Sequence, residues 1–243
     1  MPPTLYCGRH FAKEVPNSDI CLAYIYARMF VVPQAASTTN TGLTANATVT
    51  SNYVFRGETQ SNEDPAIQGG IDYTHSSGFY AGAWGSNVDF QNVGSGLEYD
   101  LYLGIGFDVT QDVKLDVGYI DYSYTNNSVD NLKGSNEVFV GAKYKNFAGY
   151  YYYGNANLNN ENYQYFDLRY TMDLPKEFKM TLHYGHLDPD NTHSADDVSL
   201  RFSRDFSGFI GSLSVTTVDT NNSSSYPEDK TRVFISVTKN FDL

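Results

Sequence analysis

Charged side chains recur at alternate positions in many segments of this chain, with apolar side chains between them. Because successive side chains of a β-strand point to opposite faces, this spacing collects the charges on one face of each strand. Such a face is costly to place against lipid but can border water. We therefore predict a wet, lumen-lining set consisting of Asp72, Glu98, Asp100, Lys114, Asp116, Glu137, Lys143, Asp167, Arg169, Lys179, Arg201 and Arg232.

Six members of this set are acidic and six are basic, so their charges balance. Opposite charges attract more strongly inside a protein than in bulk water. We expect acids and bases of the set to pair with each other and so to close part of the lumen.

Three histidines near an acidic segment could indicate a metal site. The residues concerned are His183, His186, His193, Asp188, Asp190, Asp196 and Asp197. The acids loosely follow a calcium-loop spacing, but the glycine and the terminal glutamate of an EF-hand are missing. We interpret the segment as a solvated outer loop, with weak divalent-cation binding at the rim as the alternative. No structural metal and no cofactor are expected.

A lipid-hydrolysing barrel would need a serine within hydrogen-bonding reach of a histidine that a polar residue orients. The candidate histidine is His186, which shares the apolar face of its segment near the outer rim. The facing segment offers Val198 and Leu200 on that face and no serine. The sequence therefore does not predict an enzyme.

The elements that carry these residues are about twelve short strands from residue 43 onward, and their connections alternate between long and short. Outer-membrane barrels have short periplasmic turns, longer outer loops and an even number of strands. The long connections are residues 57–65, 91–96, 125–134, 155–162, 188–195 and 220–229. The short ones are residues 76–77, 110–111, 146, 174–176 and 206–207.

The apolar face of these strands is predicted to point outward. Residues 97–109 carry apolar side chains at every odd position, and strands of about 9–13 residues suit a tilted crossing of the bilayer. Within residues 112–124 the apolar positions change parity, which predicts a bulge or a strand that rises above the membrane. Residues 150–153 are all tyrosine and give no orientation. Aromatic girdles are predicted to include Tyr53, Phe55, Tyr73, Tyr184 and Phe241.

Composition limits the possible functions further. The net charge of −12 argues against a nucleic-acid partner, because phosphate binding needs a basic face. It favours a mild preference for cations, supplied chiefly by acidic outer loops. The mean hydropathy of −0.42 is too low for a bundle of membrane helices, but a barrel needs only alternate residues to be apolar.

The N-terminal segment differs from the strand region. Residues 1–37 resemble an atypical or mis-started signal peptide, with an apolar stretch that Arg28 interrupts. Residues 38–42 would be a short polar leader, and residues 43–243 the barrel. Both cysteines, Cys7 and Cys21, precede the barrel, so the barrel itself contains no disulfide.

Four stretches also resemble a known family. They are residues 51–57 (SNYVFRG), 64–73 (DPAIQGGIDY), 78–88 (GFYAGAWGSNV) and 98–102 (EYDLY). These stretches resemble the TorF-type porins, a proteobacterial family of unknown function, over roughly residues 43–243. The resemblance implies an outer-membrane β-barrel with a porin role, and it implies no substrate and no catalytic residue.

We therefore predict an all-β, up-and-down transmembrane barrel in the bacterial outer membrane. Its expected function is passive diffusion of small solutes or ions through a narrow lumen, and the alternative is a non-conducting structural or adhesin barrel. Expected partners are outer-membrane lipids, lipopolysaccharide and small solutes, with no nucleic acid, and the barrel is expected to be a monomer. The last strand, which ends with Phe241 and Leu243, partly matches the signal that the outer-membrane assembly machinery reads.

Overall fold

The computed structural model describes residues 41–90, 94–125, 134–156, 161–220 and 230–243. Twelve strands form one closed barrel, and two very short strands form a separate hairpin. The strands are β1 (Gly42–Thr50), β2 (Val54–Phe55), β3 (Glu58–Thr59), β4 (Ala66–Thr74), β5 (Phe79–Phe90), β6 (Gly94–Asp108), β7 (Val113–Thr125), β8 (Ser135–Tyr144), β9 (Phe147–Ala156), β10 (Glu161–Asp173), β11 (Phe178–Pro189), β12 (Ala195–Phe206), β13 (Phe209–Thr220) and β14 (Lys230–Asp242). A 3-10 turn at Pro175–Glu177 precedes β11.

Every barrel strand is antiparallel to its neighbours in the chain, and β1 pairs with both β4 and β14 to close the ring. The predicted twelve-stranded antiparallel barrel is confirmed. Among the described residues, no helix is long and apolar enough to cross a membrane.

The connections separate by length between the two ends of the barrel. Residues 75–78, 109–112, 145–146, 174–177 and 207–208 connect strands at one end, which we call the periplasmic end. Residues 51–65 and 190–194 connect strands at the other, outer end. The predicted loops at 91–96, 125–134, 155–162 and 220–229 lie wholly or partly outside the described residues, as do the predicted signal peptide and most of the leader.

The outer surface of the barrel carries an apolar belt. Leu97, Leu101 and Leu103 of β6 are each at least half exposed, whereas the alternate residues Glu98 and Asp100 are buried. Such a large apolar surface is stable only when it is covered, and lipid covers the outward band of a membrane barrel. The protein is thus a transmembrane barrel of the outer-membrane type.

Cations at the edge of this belt sit over aromatic rings. Lys239 Nζ lies 4.8 Å from the ring centre of Phe209, and Arg204 lies 5.3 Å from that of Phe178. Both arrangements lie near the periplasmic end, where a long cationic side chain can reach the interface along an apolar surface.

Of the two alternatives for residues 112–124, the bulge is wrong, whereas a strand that rises above the membrane stays a prediction. The sequence left the orientation of residues 150–153 open, and β9 now provides it. The pairing of β7 with β6 is continuous, so no bulge occurs, and Ile120, Tyr122 and Tyr124 are buried inside the barrel. Their apolar character reflects a packed interior at this level and not a change of face. In β9, Tyr150 and Tyr152 point inward and are buried.

Candidate functional site

A hairpin from the first outer connection folds into the lumen. Strands β2 and β3 pair across a two-residue turn in which Arg56 (φ 42°) and Gly57 (φ 81°) both have positive φ, as tight hairpin turns require. Phe55 is 2 % exposed and Glu58 is 1 % exposed. The prediction that residues 57–65 form an acidic outer loop is therefore wrong for the hairpin. Tyr53 and Phe55 are interior residues and not girdle residues.

Two ion pairs fix the hairpin tip to opposite sides of the barrel. Arg56 Nη2 lies 2.7 Å from Glu137 Oε1 of β8. Arg232 of β14 donates from Nη1 to the Gly57 carbonyl at 2.8 Å and from Nη2 to Glu58 Oε2 at 3.1 Å. Strands β8 and β14 are six places apart in the ring of twelve, so the hairpin crosses the lumen.

The base of the hairpin is held by hydrogen bonds. Tyr53 N donates to Ser61 Oγ at 2.9 Å, and Asp89 N of β5 donates to the Gln60 carbonyl at 2.9 Å. Near the outer rim Lys230 donates to Glu63, and this contact holds the pKa of the Glu63 carboxyl below its usual range. Water can replace these hydrogen bonds more readily than it can enter an apolar core.

Aromatic side chains fill the lumen on the side of β7–β10. Tyr122, Tyr152 and Tyr165 are at most 1 % exposed, and the guanidinium of Arg56 lies 3.9 Å from the ring centre of Tyr165. Gly154 permits this packing, because a Cβ there would lie 2.2 Å from Cζ of Tyr163. Solutes therefore have no room between the hairpin and this wall.

Five of the six predicted acids are buried, and four of the six accept a hydrogen bond from a tyrosine of the same or a nearby strand pair. Glu98, Asp100, Asp116, Glu137 and Asp167 are at most 3 % exposed, and Asp72 is half-buried. Four of the bonds are Tyr102–Asp72, Tyr80–Asp116 at 2.8 Å, Tyr122–Glu137 at 3.1 Å and Tyr124–Glu98 at 3.4 Å. A tyrosine hydroxyl satisfies a carboxylate oxygen without adding a second charge.

The predicted bases take other partners. Within the predicted set, Arg169 and Asp167 form an ion pair, whereas Lys114 pairs with Asp108 at 3.2 Å. Lys179 lies 3.8 Å from the exposed Asp173, and Arg232 holds the hairpin. The expected pairing of acids with bases of the same set is thus wrong for most members, because tyrosines and residues outside the set intervene.

A polar cavity of about 1230 Å³ lies between the hairpin and the periplasmic end, against β10–β14 and β1. Serine and threonine are the commonest residues of its wall, including Thr48, Thr181, Ser199, Ser214, Thr216, Ser236 and Thr238. Sequence reasoning missed this wall, although serines share one face of β12 and serine and threonine recur at alternate positions of β13. The hydroxyls pair in places, as in Thr48–Thr238 at 2.8 Å.

The histidines do not converge. His183 points into the lumen, where Nδ1 lies 3.2 Å from Asp197 Oδ1. His186 lies on the other face of β11, with Nδ1 2.9 Å from Asp196 Oδ1. In the part of the chain that the structure describes, no group of three or more His, Cys, Asp or Glu residues is arranged to hold a metal.

Sequence comparison assigns the chain to a family. A bacterial family described as "Bacterial protein of unknown function (Gcw_chp)" matches residues 34–241. The chain belongs to this family. No curated protein matches the chain.

The fold of this Gcw_chp member is similar to that of solved porins. A KdgM porin structure matches with a TM-score of 0.55 and 8 % identity over 82 % of this chain and 99 % of KdgM. KdgM porin in complex with disordered oligogalacturonate matches with a TM-score of 0.52 and 10 % identity over 82 % of this chain and 98 % of that one. OprD of Pseudomonas aeruginosa matches with a TM-score of 0.43 and 11 % identity over 83 % and 67 %. At these identities the similarity concerns the fold alone.

Proposed function

We propose that this barrel is a porin through which small hydrophilic solutes diffuse, and that hairpin residues 53–60 set the width of its lumen. The observation that carries the proposal is the hydroxyl-lined cavity below an inward hairpin. A wall of hydroxyls is compatible with passing solutes because it hydrogen-bonds to them without trapping them. The KdgM-like fold and the resemblance to TorF-type porins support the same function.

A mild cation preference remains a prediction for the outer entrance only. It rests on acidic outer loops, and most of those loops lie outside the described residues. The described cavity differs from the entrance, because its wall carries more basic than acidic side chains.

A second candidate is a non-conducting structural barrel. It is favoured by the aromatic packing beside β7–β10 and by the hairpin that crosses the lumen. The two candidates differ in one measurable property, which is ion conductance with the hairpin present and absent.

The test is single-channel recording in planar bilayers. We expect the native protein to conduct weakly, and a variant in which residues 54–59 are replaced by a short Gly-Ser linker to conduct several-fold more. A control with the same replacement at residues 190–194, an outer connection, should conduct as the native protein does. Silence of both the native protein and the hairpin variant would establish the structural alternative.

A further inference from the structure

Basic side chains of the cavity wall lie apart from the buried carboxylates beside the hairpin. The buried carboxylates Glu98, Asp100 and Glu137 lie on β6 and β8, beside or behind the hairpin. Arg169, Lys179 and Arg201 line the cavity on β10–β12. Lys143 of β8 joins them through a smaller adjacent cavity of about 470 Å³ that Arg169 and Lys179 also line. We call Lys143, Arg169, Lys179 and Arg201 the basic strip.

Strand register places the basic strip among hydroxyl donors. Arg201 pairs with Thr181 on one side and Ser214 on the other. Two residues closer to the periplasmic end, Lys179 pairs with Ser203. Any anion that reaches Arg201 is therefore surrounded by hydroxyl groups as well as by positive charge.

The strip is only partly neutralised by the protein. Arg201 is exposed to the cavity, and neither Arg201 nor Lys143 forms an ion pair among the described residues. The cavity carboxylate Asp197 already contacts His183 and accepts a hydrogen bond from Tyr165 at 2.9 Å. Arg201 in the larger cavity and Lys143 in the adjacent one are thus cations without an ion-pair partner in the described part of the chain, and they favour a soluble counter-charge there.

The remaining carboxylates of the cavity lie at its mouth. Glu177 is 3.7 Å from Arg204, and Asp205 accepts a hydrogen bond from the backbone of Gly208. Both belong to the periplasmic turns or their edges, away from Arg201 along β12. They can therefore screen the mouth of the cavity without neutralising Arg201.

We infer that the basic strip binds small hydroxylated organic anions, such as sugar acids or sugar phosphates, within the lumen. Guanidinium groups bind carboxylate or phosphate oxygens by charge-assisted, often bidentate hydrogen bonds. The serine and threonine hydroxyls supply partners for the hydroxyl groups of the solute. This inference deepens the proposed function by naming its solute class, and it rests on that function only for transport.

Calorimetric titration of the detergent-solubilised protein tests the binding step without requiring conductance. The probes are glucuronate, glucose 6-phosphate and glucose, which share a sugar ring and differ in charge. We expect each anion to bind at least about tenfold more tightly than glucose, as one or two charge-assisted hydrogen bonds would give. Tighter binding of one of the two anions would show whether the site prefers a carboxylate or a phosphate.

Charge-neutralising variants locate the site. Arg201→Gln and, separately, Lys143→Gln should each weaken anion binding at least about fivefold, in line with the loss of one charged partner. Lys176→Gln removes the same charge from a periplasmic turn outside the cavity wall and should leave the affinity unchanged. Equal affinity for glucose and both anions, or unchanged binding in both cavity variants, would overturn the inference.

Bilayer recordings separate this inference from the porin proposal. If the protein binds anions more tightly than glucose but never conducts, the anion-site inference holds and the porin proposal is wrong. Conductance without any advantage of the anions over glucose would refute the anion site and sustain the porin.

Discussion

Arg56 Nη2 lies 2.7 Å from Glu137 Oε1, and both side chains are at most 1 % exposed. This contact joins the tip of an inward hairpin to the barrel wall opposite β14. A buried ion pair of this kind adds little net stability, but the loss of one partner leaves a costly uncompensated charge. The pair therefore determines where the hairpin rests.

Glu137→Gln is expected to release the hairpin. Uncompensated burial of Arg56 costs about 3–5 kcal/mol, and the hairpin can avoid this cost by moving toward water. Single-channel conductance should rise and the thermal unfolding temperature should fall. The double variant Arg56→Met, Glu137→Leu removes both charges and should lie closer to the native protein in both measurements. Native behaviour of the single variant would show that the pair does not hold the hairpin.

Gly57→Ala should displace the hairpin by a different route. An added Cβ at Gly57 would lie 2.8 Å from Cβ of Val218, and the residue has φ +81°. The matched control is Gly42→Ala, which has φ +139° but open space around the added Cβ. Trp84, the single tryptophan of the chain, lies 5.6 Å from the ring of Tyr53 and reports the position of the hairpin. A red shift of its emission in Gly57→Ala, and not in Gly42→Ala, is the expected result.

Acidification should loosen the contact between Glu63 and Lys230. Because the folded-state pKa of Glu63 is lowered, its contribution is present above the unfolded-state pKa and is lost as the pH falls through the lowered value. Both side chains are more than 40 % exposed, so the contribution is below about 1 kcal/mol. As the pH falls below the ordinary pKa of a glutamate, conductance should rise more steeply in the native protein than in Glu63→Gln. Asp64→Asn, at the neighbouring acid, should retain the native pH profile.

The apolar belt predicts a depth-dependent cost for outward charges. Leu101→Arg places a cation on the outward face in the middle of β6 and should destabilise the barrel by about 2–4 kcal/mol. Val109→Arg makes a comparable change at the first residue of the periplasmic turn 109–112 and should cost at most about 1 kcal/mol. Urea unfolding in lipid vesicles measures both values. Equal costs would show that lipid does not cover the middle of this face.

The barrel could be predicted from the sequence because alternation and connection length are local signals. Residues 97–109 show both faces of β6 without exception, and the short turns separate the strands. The inward course of residues 51–65 could not be predicted, because it depends on contacts with Glu137 and Arg232, far away in the sequence. The available signals for this inward course were the absence of charge and the two aromatic side chains in residues 53–55.

For the candidate site, the sequence predicted only which face of each strand carries the charged residues. Alternation placed the acids and bases on the polar side of each strand, but it could not choose between partners on that side. Tyr80 of β5 reaches Asp116 of β7 across β6, and such a contact depends on the register of both strand pairs. The basic strip can be recognised only in the structure, because it depends on which acids contact those tyrosines and the hairpin.

The seam between β1 and β14 has a consequence for how the barrel is made. Backbone N–H of Leu243 donates to the carbonyl of Leu43 at 3.0 Å, so the ring is completed by the two strands farthest apart in the sequence. Contacts between such distant residues form slowly, because a very long loop must close first. Until then both terminal strands have unpaired edges, which readily pair with other chains. Protection of these edges during assembly is therefore as important for a functional barrel as the stability of the finished ring.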